Sequence, residues 1–499
     1  MAESSTTLTL TGRDVIYTDV DEITSENIAD VMEDAVNTHD TNSNNIDYLY
    51  SYYRGSQPVL NRTKDFNSNI LNKIVVNRAN QIVSFITGYF LSAPIQYISQ
   101  NQDQPPEDLK ILNEWCDMEA KDQVDLTIAE WQSVSGAGFK IALPREERVD
   151  DTIPPFEMYA LDPRDTFVVY SSRLGHKPML GVTFITKSDN SRLYYCYTDK
   201  EFFVLDDDFK DASDDLSKSG AHSLGVVPIF EYPLNNSRLG YIELVIPLLD
   251  AINTVQSNRV DGVEQFVQAI LCLKGMIPEV TSGQTQQDAE AAFMAALKEV
   301  GGLFVPDGGD AFYLTQELNQ DQTQTLVDDL YDTILEICGI PDRSDGSTNG
   351  DTGSAIVLRN GFADAETRAK NAESFFKRSE RQFLNLLIMI CNTTGGTNLM
   401  NNQVDIRFPR RNYTNDSAKV ANLVNMLSND QIHPLDAFEH SDMFPDPDAA
   451  FTRGQQWKDE QEKKAADELA NIDNNPDEEG NEETETSGID ETNETGTVV

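Results

Sequence analysis

The sequence predicts an α+β chain of several domains, and three observations carry that expectation. Five short β-branched and aromatic runs between Gly136 and Tyr232 alternate with Gly, Pro and Asp turns, the texture of a mostly antiparallel sheet. Long stretches on either side repeat apolar residues at a period near 3.6, as helices with one buried face do. At 499 residues the chain is long enough for two or three such domains.

In chain order, residues 1–45 read as a polar N-terminal segment with a short helix from Ser25 to Val36 and a turn at Asn42–Asn45. Ile46–Arg54 looks helical and stops at Gly55. Apolar Ile70, Ile74, Val75, Ile82, Val83, Ile86 and Phe90 place a helix over Asn69–Leu91, which Pro94 ends. Ile95–Ile98 reads as a strand. Leu109–Val134 reads as one amphipathic helix. The strands expected next are Phe139–Leu143, Phe167–Tyr170, Gly181–Thr186, Leu193–Tyr197 and Phe202–Leu205. Asp206–Asp208 reads as a solvated turn, because consecutive side chains diverge on an extended backbone and make a poor metal site.

After Asn235-Asn236, apolar positions from Val245 to Ile270 keep a helical period for about 30 residues, roughly 45 Å of helix. Pro247 either sits in its first turn or kinks it. A small mixed insert follows, with a helix near Ala289–Val300 and a strand at Leu303–Val305. A second helix, Thr323–Cys338, leads to Gly339-Ile340-Pro341, so the two helices bracket the insert as an antiparallel pair. Arg343–Gly353 is a Gly/Ser/Asp/Asn loop. It feeds a third helix, Ser354 to about Cys391. Thr397–Phe408 looks like a hairpin, Ser417–Leu427 and Pro434–Phe438 like short helices, and Arg453–Ala470 like a charged one.

Charge narrows the function. Lys+Arg number 38 against 84 Asp+Glu, a net charge of −46, which excludes a protein that grips DNA by neutralising phosphates. No Lys or Arg follows Lys464, and the tail beyond it holds about a dozen carboxylates with few apolar residues, too few to offset ordering entropy. No apolar run reaches the roughly 18 residues of a spanning helix, and Met1–Arg13 lacks the pattern of a secretion signal. Cys116, Cys196, Cys272, Cys338 and Cys391 are widely spaced, form no CxxC pair and read as buried free thiols.

Catalytic motifs are wanting. No Gly-Lys dipeptide exists to end a phosphate loop, no Gly-x-Ser-x-Gly elbow is present, and none of the five histidines forms an HExxH pair. His433 and His440 read as loop or cap residues. Asp345, Ser347, Asn349 and Gly350 match half a calcium loop, but Ile356 stands where the bidentate Glu belongs. The expectation is a non-enzyme with no cofactor and no metal.

Spread over the chain are segments whose order resembles the portal proteins of tailed bacteriophages of the SPP1 type. They are Tyr52–Leu60, Lys73–Asn77 with Gly88-Tyr89, Leu224–Glu231 with Asn235-Asn236, Ile340–Asp342, Gly350–Ala355 and Asp446-Pro447. The resemblance implies a portal-type α+β subunit: an α/β wing (46–235), long antiparallel stem helices (240–272 and 322–339) and a small α/β clip (273–321). It further implies a channel loop (341–354), a long helix and hairpin returning to the wing (355–410) and a helical crown (415–465). It does not reach the acidic tail (466–499), which is expected to be disordered.

As partners, the resemblance implies further copies of the chain in a ring of about twelve and double-stranded DNA passing through without sequence specificity. It also implies the terminase large subunit, major capsid and scaffolding proteins and head-completion adaptors, but no membrane. The place implied is the portal vertex of the virion, with assembly in the host cytoplasm. Asp342, Arg343, Asp345, Ser347, Asn349 and Asp351 would face the channel, with Arg359, Arg368 and Lys370 as basic guides or as ordinary solvated helix charges. The competing classes are an ATP-driven motor, which lacks its phosphate loop, and an acidic capsid or scaffolding protein without a DNA channel.

Overall fold

Ile28, Val31, Met32, Ala35 and Val36 recur every three to four residues and give the first helix one apolar face. The computed structural model describes residues 10–473 apart from 66–67, 101–105, 146, 149, 151, 215–217, 268–269, 275–282, 284, 301–309, 315–319, 343–361, 410–415, 442 and 445–446. It divides into two compact units, Met1–Thr414 and Asn415–Val499. Sheets and helices mix throughout the first unit, as an α+β chain requires.

The first unit begins with β1 (Ile16–Thr18) and α1 (Ile28–Tyr53). The turn expected at Asn42–Asn45 does not form; α1 runs through it and across the expected boundary at residue 45. Tertiary bonds override the local turn preference of asparagine. The Asn42 amide accepts from the Asp14 N–H at 3.0 Å and donates to its carbonyl at 2.9 Å, and Ser43 donates to the Arg164 carbonyl at 2.9 Å.

The apolar face of α1 lies on a six-stranded sheet of order β1-β5-β6-β7-β8-β9: β5 (Thr166–Ser171), β6 (Pro178–Thr186), β7 (Arg192–Tyr197), β8 (Glu201–Leu205) and β9 (Gly220–Ala221). Among the described residues only β1 pairs in parallel, with β5. A three-stranded sheet, β10-β3-β4, is made of β3 (Ala137–Pro144), β4 (Phe156–Leu161) and β10 (Ile229–Pro233). At Asp206–Asp208 the Asp206 carboxylate caps the backbone N–H groups of Asp208 and Lys210, a self-bonded turn.

The helix expected over Asn69–Leu91 is only half as long: α2 is Arg78–Phe90, capped by the Asn77 side chain. Residues 72–76 are extended instead, because α5 (Ile246–Val267) offers them hydrogen bonds. Its Asn253, Ser257 and Asp261, one turn apart, accept from the backbone N–H groups of Val76, Ile74 and Asn72 at 2.8, 3.0 and 2.7 Å. Alternate N–H groups of this segment thus meet successive turns of a helix. The single helix expected over Leu109–Val134 is two, α3 (Glu107–Met118) and α4 (Lys121–Ser135), broken where Ala120 takes φ +51°.

Pro247 sits in the first turn of α5, where its missing N–H costs nothing. The helix ends at Val267. Ile270, expected as its last apolar position, instead opens β11 (Ile270–Lys274), which pairs with β12 (Asp310–Leu314) around α6 (Gln286–Val300). Leu303–Val305 lies outside the described residues.

α7 (Gln320–Cys338) packs against α5, and α8 (Phe362–Ile390) carries the largest core, with Phe376, Phe383, Leu384 and Leu387 fully buried. Thr397–Phe408 is not a hairpin. β13 (Val404–Arg407) pairs with β2 (Gln96–Ser99), distant in sequence, which puts Val404 and Ile406 into the core beneath α8.

In the second unit α9 (Asp416–Leu427), α10 (Pro434–Ser441) and α11 (Pro447–Asp473) pack in succession, with Phe438 meeting Phe444 and Phe451 at ring separations of 5.1 and 5.8 Å. Residues 466–473, read from sequence as tail, are helical. Among the described residues no helix is long and apolar enough to cross a membrane.

Candidate functional site

α7 places its charge on one side. Asp321, Asp328, Asp329, Asp332 and Glu336 are all exposed, and the helix contains no Lys or Arg. At 100° per residue the five carboxylates fall within about 100° of arc and run for about 22 Å. Val327, Ile334 and Cys338 on the other side are buried, and Ile334 and Cys338 share a core with residues of α5 and α2. Such a column presents a continuous negative wall. Sequence reading missed it, although the spacing 321, 328, 332, 336 was there to be found; the apolar positions of the same helix drew the attention.

The end of α7 is built to turn. Gly339 takes φ +64°, its N–H bonds the Glu336 carbonyl at 3.1 Å and the Ile340 N–H bonds the Leu335 carbonyl at 2.9 Å, the paired bonds of a Schellman stop. The Arg368 side chain from α8 lies where a Cβ on Gly339 would stand. Arg368 therefore braces the α7 terminus; it shares an apolar cleft with Tyr241, Cys338 and Ala372. Burial pushes the Cys338 thiol up to about 12 against the pull of that guanidinium.

Lys370 is exposed and stands 3.7 Å from Glu366 one turn back, an ordinary surface pair. Asp342 is half-buried just past the stop. Arg343, Asp345, Ser347, Asn349, Asp351 and Arg359 lie outside the described residues. Of the residues singled out from sequence, the fold thus gathers Asp342 and Arg368 at the α7 terminus and leaves Lys370 on the surface.

What fixes α8, and with it Arg368, is a buried cluster that sequence reading did not anticipate. The Glu380 carboxylate receives Tyr97 and Lys121 on one oxygen at 2.6 and 2.8 Å, and Tyr232 and Lys140 on the other at 2.6 and 2.9 Å. Asp125 pairs with both lysines. All four ionised side chains are at most 4% exposed.

Burial alone would raise the Glu380 pKa; the charges of Lys121 and Lys140 outweigh it and hold the carboxyl well below its usual range. Burial would lower the Lys121 pKa, and Asp125 and Glu380 reverse that. One carboxylate so ties α8 to β2, α4, β3 and β10. Nothing in the sequence marks Glu380, because its partners lie up to 283 residues away.

Among the described residues no group of three or more His, Cys, Asp or Glu side chains is arranged to hold a metal ion. Compared with known proteins, residues 33–467 match the family model described as phage portal protein, SPP1 Gp6-like. A search of curated proteins returns no match. Among solved structures the chain is similar to a chain from the neck of an empty GTA particle, at 10% identity and TM-score 0.41, over 74% of this chain and 90% of that one.

Proposed function

From the premise that this chain belongs to the SPP1 Gp6-like phage portal protein family, a family of structural rather than catalytic proteins, we propose that it is the ring-forming DNA conduit of a capsid vertex. About twelve copies form the ring, double-stranded DNA passes through it during packaging and ejection, and a terminase motor and later head-completion proteins dock on it. No catalytic residue, metal or cofactor enters this reading.

The observation that carries it beyond family membership is the α7 carboxylate column. A conduit has to let duplex DNA slide, and every phosphate contact that strengthens binding also raises a barrier to movement. A wall of Asp and Glu repels phosphate once the duplex comes within about one Debye length, ~8 Å at physiological salt, and so centres it. The segment 343–353 between α7 and α8 is proposed as the channel loop, its Asp345 and Asp351 keeping contacts with DNA weak. Arg368 is read as the brace of that loop's root and not as a guide for DNA. The acidic-scaffold reading gains nothing here: the six-stranded and three-stranded sheets of the first unit are not what a helical scaffold needs.

Two variants in one assay test the reading. Asp328, Asp329 and Asp332 are exposed, so changing all three to Lys should leave rings visible by negative-stain imaging while DNA packaging into capsids falls at least tenfold. Tethering residues 344–350 to a neighbouring subunit should do the same. Packaging at the normal level in both variants would sink the conduit assignment of these elements, and a chain that forms no ring at any salt would sink the portal role.

A further inference from the structure

A groove of about 590 Å³ opens between the β5–β6 hairpin, β10 and α8, in a region that the conduit reading does not use. Its charge is opposite to that of the chain. Glu231 is the one carboxylate among its lining residues and is already taken, by Arg238 at 2.5 Å and by the Tyr170 hydroxyl at 2.6 Å. Lys177 and Arg378 also line the groove, both exposed, and among the described residues neither has an ion pair. Two unneutralised cations lining one groove are out of keeping with a chain of net charge −46.

The rim is apolar and stiff. Leu174, at the tip of the hairpin, is 103% exposed, and Tyr17, against the His176 ring, is 47% exposed. Leaving a whole leucine in water forgoes about 2 kcal/mol of burial. The tip is no loose loop: Gly175 and His176 both hold positive φ, +99° and +42°. The His176 ring is locked by the Ser171 carbonyl at 3.1 Å and by the Tyr17 ring at 5.1 Å. His176, a non-glycine residue held in the left-handed region, fixes the conformation of the tip that presents Leu174 to solvent.

We propose that the groove and the Leu174 tip form one half of the contact between copies of this chain, receiving an acidic surface of a second copy. This rests on the ring reading. Identical chains each carrying −46 repel one another, and assembly therefore needs points where that repulsion reverses; unpaired cations beside an apolar anchor supply one. A ring joins two different patches of each copy, so the cationic half and the acidic half need not coincide. Tyr17 and Phe375 in the lining, with Leu174 next in the chain to the lining residue Gly175, make a protein-like rim rather than a phosphate track.

The test uses the full chain, titrated in concentration by native mass spectrometry. Lys177→Glu with Arg378→Glu is expected to raise the concentration of half-assembly at least tenfold. Lys187→Glu, an exposed cation on the β6–β7 turn, is expected to leave it unchanged, and Leu174→Ala to weaken assembly in the same direction as the double variant. An unaltered melting temperature shows that the double variant is folded. Assembly of the double variant at the wild-type concentration overturns the proposal while leaving the ring reading intact; a wild-type chain that stays monomeric overturns both. A photo-crosslinker at position 174 gives a second readout that does not depend on the variant. Products with the mass of two chains, joined to an Asp/Glu-rich peptide, support the proposal. Crosslinks only within one chain, or only to a different protein, sink it.

Discussion

Glu380 and His39 show how much a single buried side chain decides in this fold. Glu380→Gln would leave Lys121 and Lys140 facing each other across one remaining carboxylate, Asp125, with no solvent to screen them. Breaking a buried ionic cluster from one side costs about 3–5 kcal/mol. A clear fall in the urea midpoint is expected, and a loss under about 1 kcal/mol would mean that the cluster does not hold α8.

His39 is 2% exposed, its Nε2 lies 2.9 Å from the Arg164 carbonyl and its ring rests against Phe167. Burial lowers its pKa to about 4. The folded state keeps the imidazole neutral while the unfolded chain protonates near 6.5. The stability contribution is therefore full above about pH 6.5 and is lost as pH falls toward 4. By pH 5 the loss is about 2 kcal/mol. His39→Phe should melt with a weaker pH dependence between 7.5 and 5, and curves that run parallel to wild type would refute the assignment. Neither residue stands out in the sequence: a lone His or Glu has no pattern, and its meaning comes from what surrounds it.

At the scale of elements, long apolar periodicity was readable and element ends were not. α5, α7 and α8 lie where the 3.6-residue repeat puts them, because burial of one face is a property of the segment itself. Ends depend on partners. The Asn42–Asn45 turn lost to the Asp14 backbone, the first part of the expected 69–91 helix lost to the Asn253–Ser257–Asp261 ladder, and β13 found β2 instead of a hairpin neighbour. Gly55 past α1 is one stop that local sequence did announce, and Gly339 past α7 is another. There a Cβ meets both a left-handed backbone and the Arg368 side chain, so Gly339→Ala should destabilise by more than about 1 kcal/mol. An unchanged melting temperature would show that Arg368 simply moves aside.

At the scale of the whole molecule, the governing quantity is charge. An excess of 46 negative charges is not confined to the end of the chain: residues 474–499 hold nine Asp and Glu and no Lys or Arg, and the rest of the excess lies before them, part of it on the α7 column. The compositional argument makes that last segment dispensable for assembly, since it has few apolar groups to bury. Truncation after Asp473, where α11 ends, should leave ring formation unchanged in native mass spectrometry. Loss of rings on truncation would assign the tail a structural role.

The sequence by itself determined the α+β class, the approximate place of the long helices, the strand-rich stretch, the acidity and, through scattered segments in a given order, the portal family. These are properties of composition, period and order, which survive without coordinates. Tertiary structure alone decided that Arg368 braces Gly339, that Glu380 collects two lysines and two tyrosines, and that Lys177 and Arg378 stand unpaired over a groove. The reason is physical: a charge acquires its role from the partners and the burial it meets within a few ångströms, and in this chain those partners come from segments as much as 283 residues apart.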